Sequence, residues 1–314
     1  MAGILLRIGA RGSKLSLAQT QLTRARIAQH MGVDTERLDI VTIVTSGDSI
    51  QDRRLIEFGG KGLFTKELDE ALLEGRIDLA IHSLKDLPTR LPSELILACV
   101  PEREDPRDAF VSLQARSLSD LPSGANVGTA SLRRQAQVLF ARPDLGVVTL
   151  RGNVDTRLRK LEAGEADATF LAIAGLKRLG LAARAASLVD PHDMAPAACQ
   201  GALALTARND DTATLASLEG LESADARVEI EAERAFLGAL DGSCRTAIGA
   251  LARKHAHALS FIGEALTPDG SARWRRVETI SLGPDACADA RALGDRLGRE
   301  IRAEAGDALV MDTS

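Results

Sequence analysis

Apolar and polar positions follow two rhythms along this chain, and the rhythm changes near residue 200. In the first two-thirds, short apolar runs of strand length alternate with stretches whose apolar residues recur at helical spacing. Leu5 to Ala10 is the first run, and Ser13 then caps a predicted helix carrying Leu17, Leu22 and Ile27. Leu38 to Thr45 predicts a second strand, running into the turn-forming Ser46-Gly47-Asp48. Thr65 to Glu74 predicts a helix stopped by Gly75, and Ile77 to His82 a buried strand. Farther on, Asn126 to Gly128 leads into a helix from Ser131, Gly146 to Leu150 feeds a helix after Asp155, and Ala168 to Ile173 feeds Gly175-Leu176-Lys177-Arg178. Alternation of this kind predicts α/β layers.

Two proline-bearing breaks interrupt the pattern, Pro101-Glu102-Arg103-Glu104-Asp105-Pro106-Arg107-Asp108 and Pro191-His192-Asp193-Met194-Ala195-Pro196. Both read as hinges, so the chain is expected to leave one lobe, build a second and return. Two lobes joined in this way hold a ligand between them. The last third reads differently. A helix from Ser223 carries Val228, Ala232, Ala235, Phe236 and Leu240. Strands follow at Ile248 to Ala252, Leu259 to Leu266 and Arg273 to Ile280, the last two joined by the hairpin turn Thr267-Pro268-Asp269-Gly270. A final amphipathic helix shows Leu293, Leu297 and Ile301. The expected fold class is α/β: a lobe from residues 1–101 and 200–219, a second from 107–195, and a small α+β domain with an antiparallel sheet over 223–314.

Composition narrows the function. The 314 residues carry a formal net charge of −5, so basic clusters mark local sites rather than a basic surface. Aromatic content of 3%, with no Tyr, disfavours stacking platforms for single strands, and with the acidic balance it argues against nucleic acid as a partner. No apolar stretch is long enough to span a bilayer, and the first residues lack a secretory pattern, so a cytoplasmic protein without a membrane partner is expected. Cys99, Cys199, Cys244 and Cys287 are scattered without a CxxC pair, which suggests neither a disulfide framework nor a zinc site; no metal is expected.

Arginines crowd into two glycine-bearing stretches, Gly128-Thr129-Ala130-Ser131-Leu132-Arg133-Arg134 and Leu150-Arg151-Gly152-Asn153-Val154-Asp155-Thr156-Arg157. Each follows a predicted strand and opens a predicted helix, where free N–H groups and the helix dipole favour anions. Arginine adds a planar fork suited to carboxylate or phosphate. Arg11 and Ser13 occupy an equivalent junction, and Arg178 follows a later strand. Singly, each arginine reads as a solvated or ion-paired surface residue. Their repetition at strand-to-helix junctions predicts one ligand with several anionic groups. His82-Ser83-Leu84-Lys85-Asp86-Leu87-Pro88 closes a buried strand at its carboxyl end, where ligand sites gather in α/β sheets. The carboxylate of Asp86 is suited to a cationic intermediate. Phe58-Gly59-Gly60-Lys61-Gly62-Leu63-Phe64 lacks phosphate-loop spacing and reads as a glycine-rich loop from which Lys61 can reach an anion. Cys244 follows a helix terminated by Gly242, and without a compelling histidine partner it suits a covalent tether better than a nucleophile.

Taken together these segments resemble the porphobilinogen deaminase (hydroxymethylbilane synthase) family. The resemblance is carried by Arg7-Ile8-Gly9-Ala10-Arg11-Gly12-Ser13, Gly59-Gly60-Lys61-Gly62-Leu63-Phe64, the His82–Pro88 and Arg103–Ala109 segments, both arginine stretches, Ala174–Gly180, Gln200-Gly201-Ala202 and Gly242-Ser243-Cys244, in order across nearly the whole chain. It implies two lobes similar to periplasmic binding proteins and a third domain. It implies a dipyrromethane cofactor held by a thioether to Cys244, and stepwise addition of four porphobilinogens with loss of ammonia. Asp86 is the implied catalytic carboxylate. Arg11, Ser13, Gln19, Lys61, Lys85, Thr129, Ser131, Arg133, Arg134, Arg151, Arg157 and Arg178 are the implied cofactor- and substrate-binding residues. The resemblance further implies a monomer whose linear product passes to uroporphyrinogen-III synthase. The chain departs from the family pattern at Cys199, a usual glycine position, and at Glu57, Ser243 and Ala247. The rival readings are a non-catalytic anion-binding protein of the same two lobes, and a phosphate-ester enzyme, which would want a Walker-like loop.

Overall fold

The computed structural model describes residues 3–46, 64–240 and 246–309. Gly47, Asp48, Glu57, the segment from Phe58 that includes Lys61, and Asp241–Arg245 with Ser243 and Cys244 lie outside the described residues.

In chain order, β1 (Leu6–Arg11), α1 (Lys14–Met31), β2 (Leu38–Ile43), α2 (Lys66–Leu73), β3 (Leu79–Ser83) and β4 (Leu95–Cys99) come first. Next are β5 (Asp108–Ser112), β6 (Asn126–Gly128), α3 (Leu132–Ala141), β7 (Gly146–Val148), α4 (Val154–Glu162), β8 (Ala168–Ala172), α5 (Ile173–Arg178) and β9 (Ser187–Leu188). Then β10 (Leu203–Arg208) and α6 (Thr212–Ala216) precede α7 (Ala224–Ala239), β11 (Ala247–His255), β12 (Ala258–Leu266), β13 (Arg273–Ser281) and α8 (Ala286–Ala305).

These strands form three sheets, ordered β2-β1-β3-β10-β4, β7-β6-β8-β5-β9 and β11-β12-β13. The first two share one plan. β1 pairs parallel with β2 and β3, as β6 does with β7 and β8. The fourth strand, β10 or β5, is antiparallel to both its neighbours. The third sheet is an antiparallel meander. The expected class, two α/β lobes and a small α+β part, is what the structure contains.

Contacts divide the described residues into two units, 3–46 with 64–104 and 202–227, and 105–201 with 228–240 and 246–309. The chain crosses between them inside the charged Pro101–Asp108 stretch, again after Gly201, and again after Arg227, within α7. In each lobe the antiparallel strand is the one entered soon after a crossing: β5 after the first, β10 after the second.

Both lobe sheets are covered on two faces. On one side of the first sheet, Ile27 and Ala28 of α1 pack with Leu6, Ile8, Leu79 and Leu205; on the other, Leu68, Ala71 and Leu72 of α2 pack with Ile43 and Ala80. Phe110 and Phe170 meet edge to face with centroids 5.4 Å apart inside the second lobe. The third sheet belongs to the same unit as the second lobe. Leu266 and Ala247 pack on Ala136, the Gln135 amide donates to the Pro268 carbonyl at 3.1 Å, and the Arg273 guanidinium lies 4.3 Å from the Phe140 ring centroid. Gly249 of β11 is one point of close approach in this docking. A Cβ there would stand 2.8 Å from the Ala195 methyl and 2.9 Å from its carbonyl oxygen.

Candidate active site

In the first unit a pocket opens at the carboxyl ends of β1 and β3. It is lined by Arg11, Ser13, Ser16, Gln19, Phe64, His82, Ser83 and Asp86, among others. Arg11 ends β1; its backbone N–H donates to Ser16 Oγ at 3.1 Å, and its guanidinium lies 4.1 Å from the Phe64 ring centroid. Ser13 caps α1 by accepting from the Ser16 N–H at 3.3 Å. Capping uses the hydroxyl as an acceptor, so its proton stays available to an anion. Gln19 is buried on α1, and its amide donates to Ser83 Oγ at 2.9 Å.

Asp86 and Lys85 stand exposed in a single 3-10 turn that follows β3. Leu84 and Leu87 are buried on either side of them. The Leu84 N–H donates to the Ala202 carbonyl at 3.0 Å, and the Leu87 N–H to the Leu84 carbonyl at 3.1 Å. Two polar side chains are thus presented outward by a turn whose apolar neighbours clamp it. Behind them His82 is buried, its Nε2 3.1 Å from Thr206 Oγ1. Burial, helped by the charge of Arg11, pushes the imidazole down to about 4, so it is neutral at pH 7.

The second unit holds the two arginine stretches. The Thr129 N–H donates to the Val148 carbonyl at 2.9 Å, and Thr129 Oγ1 accepts from the Ser131 N–H at 3.1 Å. Ser131 caps α3. Arg133 and Arg134 are both buried on the Asp108 carboxylate, each with one Nη2 at 2.8 Å. Gln200 Nε2 reaches Asp108 Oδ1 at 2.8 Å and the Pro106 carbonyl at 2.8 Å. Burial alone would raise Asp108, but the charges of Arg133 and then Arg134 hold it far below the carboxylate range. Arg157 Nε donates to the Gly152 carbonyl at 2.8 Å, and Asn153 caps α4 beside it. Arg178 Nη2 donates to the Gly201 carbonyl at 2.7 Å. Like Arg133 Nε, Arg151 Nη1 is buried without a hydrogen-bond partner. A buried cationic donor is costly unless paired, so this atom fits a ligand carboxylate.

The structure therefore brings Arg11, Ser13, Gln19 and Asp86 to one pocket, with Lys85 on the same turn as Asp86. It places Thr129, Ser131, Arg133, Arg134, Arg151, Arg157 and Arg178 in the other unit. Ser16, Phe64, His82 and Ser83 also line the pocket, and Asp108 and Gln200 complete the arginine cluster; none of these is among the ligand-binding residues expected from sequence. His82 and Ser83 belong to the same motif as Asp86. Asp108 carried no local signal, since a carboxylate in a run of alternating charges reads as solvated. Among the described residues no group of His, Cys, Asp or Glu is arranged to hold a metal, and no helix is long and apolar enough to cross a membrane.

Two family models match the chain. One described as porphobilinogen deaminase, dipyromethane cofactor binding domain, covers residues 6–216, and one described as porphobilinogen deaminase, C-terminal domain, covers residues 227–303. The chain is 57% identical over 315 residues to a porphobilinogen deaminase of Caulobacter vibrioides, covering 98% of each. It is 57% identical over 312 residues to one of Caulobacter sp. (strain K31), again covering 98% of each. A solved ABC-transporter periplasmic substrate-binding protein from Coxiella burnetii overlays 70% of this chain and 93% of its own at 15% identity, with a TM-score of 0.43.

Proposed function

The chain belongs to the porphobilinogen deaminase family, and from that premise we propose how its residues divide the work. The enzyme condenses porphobilinogen molecules head to tail, with loss of ammonia, into the linear tetrapyrrole hydroxymethylbilane by elongating a dipyrromethane primer. The non-catalytic anion-binding reading is not favoured.

When bound, the cofactor supplies a pyrrole carbon nucleophile to which each new unit is joined. The residues present fit such a group, since its acetate and propionate side chains answer the unpartnered Arg151 Nη1. Cys244 is the attachment point in this proposal. Arg11, Ser13, Gln19 and Lys85 of the first unit receive carboxylates, as does Lys61. Thr129, Ser131, Arg133, Arg134, Arg151, Arg157 and Arg178 of the second unit do the same. Arginines bind those carboxylates but repel the cationic methylene pyrrole left when porphobilinogen loses ammonia. Asp86 answers that charge. Its carboxylate stabilises the cation, assists proton delivery to the departing amine, and accepts the proton released after the carbon–carbon bond forms.

One observation carries the role of Asp86: it is the sole acidic side chain among the described residues that line the pocket, and it stands on a clamped turn. The working parts are a first lobe of 1–101 with 200–219, a second of 107–195, and a cofactor-bearing domain of 223–314. The protein acts as a cytoplasmic monomer and passes its product to uroporphyrinogen-III synthase.

Intact mass and steady-state turnover test these roles. Asp86→Asn is expected to keep the dipyrromethane adduct and lose about a hundredfold or more in turnover. Cys244→Ala is expected to carry no adduct. Normal turnover of Asp86→Asn excludes it as the central carboxylate, and an adduct persisting in Cys244→Ala moves the attachment elsewhere.

A further inference from the structure

Arg133 and Arg134 are consecutive residues in the first turn of α3. Neighbours on a helix point about 100° apart, so two such side chains do not converge unaided. Both are cations at a helix N-terminus, where the dipole opposes them. Yet both forks meet at one place, the carboxylate of Asp108. Asp108 Oδ2 accepts from Arg133 Nη2 at 2.8 Å and from Arg134 Nε at 3.4 Å. Oδ1 accepts from Arg134 Nη2 at 2.8 Å and from Gln200 Nε2 at 2.8 Å. Asp108 is the first residue of β5, and its side chain is fully buried.

Two further facts point to a ligand. One carboxylate faces two guanidiniums, so the trio keeps an excess positive charge; the nearby Glu264 is itself paired with Arg275 at 2.9 Å. And although Arg133 is 5% exposed, its Nε has no partner, while its Nη1 is spent on the Ala195 carbonyl at 2.7 Å. A buried cation with a spare donor calls for a second anion.

We propose that Asp108 is a positioning residue for substrate binding: it draws the Arg133 and Arg134 forks together and holds them in the orientation that receives one ligand carboxylate. Gln200 supports it by occupying the remaining lone pair of Oδ1. Asp108 touches no ligand itself; it acts through the arginines, as supporting residues do where a site must be preorganised. The proposal rests on the deaminase reading above.

The test compares Asp108→Asn and Asp108→Glu with the parent holoenzyme. Intact mass gives the fraction bearing the adduct, and thermal denaturation gives stability. KM for porphobilinogen and kcat per adduct-bearing molecule give function. Asp108→Asn keeps the shape but removes the charge; its KM is expected to rise about tenfold or more while kcat per adduct-bearing molecule stays within about threefold. Asp108→Glu, which keeps the charge, is expected to bring KM back to within about threefold of the parent. Lowered stability with unchanged KM overturns the proposal, as does an Asp108→Glu variant no better than Asp108→Asn. Should Asp108→Asn yield no folded protein, Gln200→Leu removes one neutral donor instead. Its KM is then expected to rise about threefold, and an unchanged value overturns the proposal. Absence of any adduct on the parent protein would instead sink the deaminase reading, so the two failures are distinct.

Discussion

Two aspartates of this chain meet opposite surroundings, and the roles proposed for them follow from that. Asp86 is exposed on a turn and free to meet a ligand, whereas Asp108 is buried under two guanidiniums and an amide. Cys199 is a third residue whose surroundings decide its meaning. It stands in the left-handed region, with φ of 64°, at the position where the family pattern has glycine. Its N–H donates to the buried Glu233 Oε2, and Glu233 Oε1 accepts from the Ala252 N–H at 2.7 Å. The backbone here is therefore held, and a side chain must tolerate it. Left-handed backbone is worst for β-branched residues. Cys199→Val is expected to destabilise by about 2 kcal/mol or more, whereas Cys199→Gly stays within about 1 kcal/mol of the parent. Urea unfolding of the two variants checks this; equal stabilities would mean the position is not strained.

At the scale of elements, side-chain caps recur at the starts of the helices. Ser13, Ser131, Asn153, Asp211 and Asp285 each accept from an N–H of the first turn. Ser13 and Ser131 stand next to the proposed anion-binding residues, so under that proposal one residue both starts the helix and offers a donor to a ligand. Asp285 caps α8 far along the chain from those residues, accepting from the Ala288 N–H at 2.9 Å. Asp285→Ala is expected to cost about 1 kcal/mol of stability and leave KM and kcat unchanged. Thermal denaturation and steady-state kinetics would show it, and a change in KM would refute the separation of the two roles. The predicted helices and strands lie close to the observed ones, but the sequence pattern marks none of β4, β5, β9 and β10. β10 is buried at five of its six positions, and a short continuous apolar run carries no period to tell strand from helix.

For the molecule as a whole, His82 ties folding to pH. Its imidazole is held down at about 4 against an ordinary 6.5. As pH falls below 6.5 the unfolded chain takes up a proton that the folded chain refuses, so stability is full above 6.5 and drains away down to about 4. The loss between pH 7.5 and 4.5 is expected to be about 2–3 kcal/mol, and His82→Gln should flatten that part of the curve. Urea unfolding at the two pH values measures it; an unchanged slope in His82→Gln would assign the acid sensitivity elsewhere. The same residue shows the limit of reading a linear chain. Local periodicity, caps and turn residues act over a few positions, so the α/β rhythm, the antiparallel final sheet and the arginine-bearing junctions were legible from sequence alone. So were the motifs that placed the chain in its family. What tertiary structure decided were the pairings across long separations. β10 inserts between β3 and β4, and Gln200 meets Asp108 across 92 positions. Which charges are spent on the protein and which remain for a ligand depends on those pairings. A carboxylate or guanidinium looks the same in sequence whether solvent, a partner or nothing stands against it, and burial settles which of these applies.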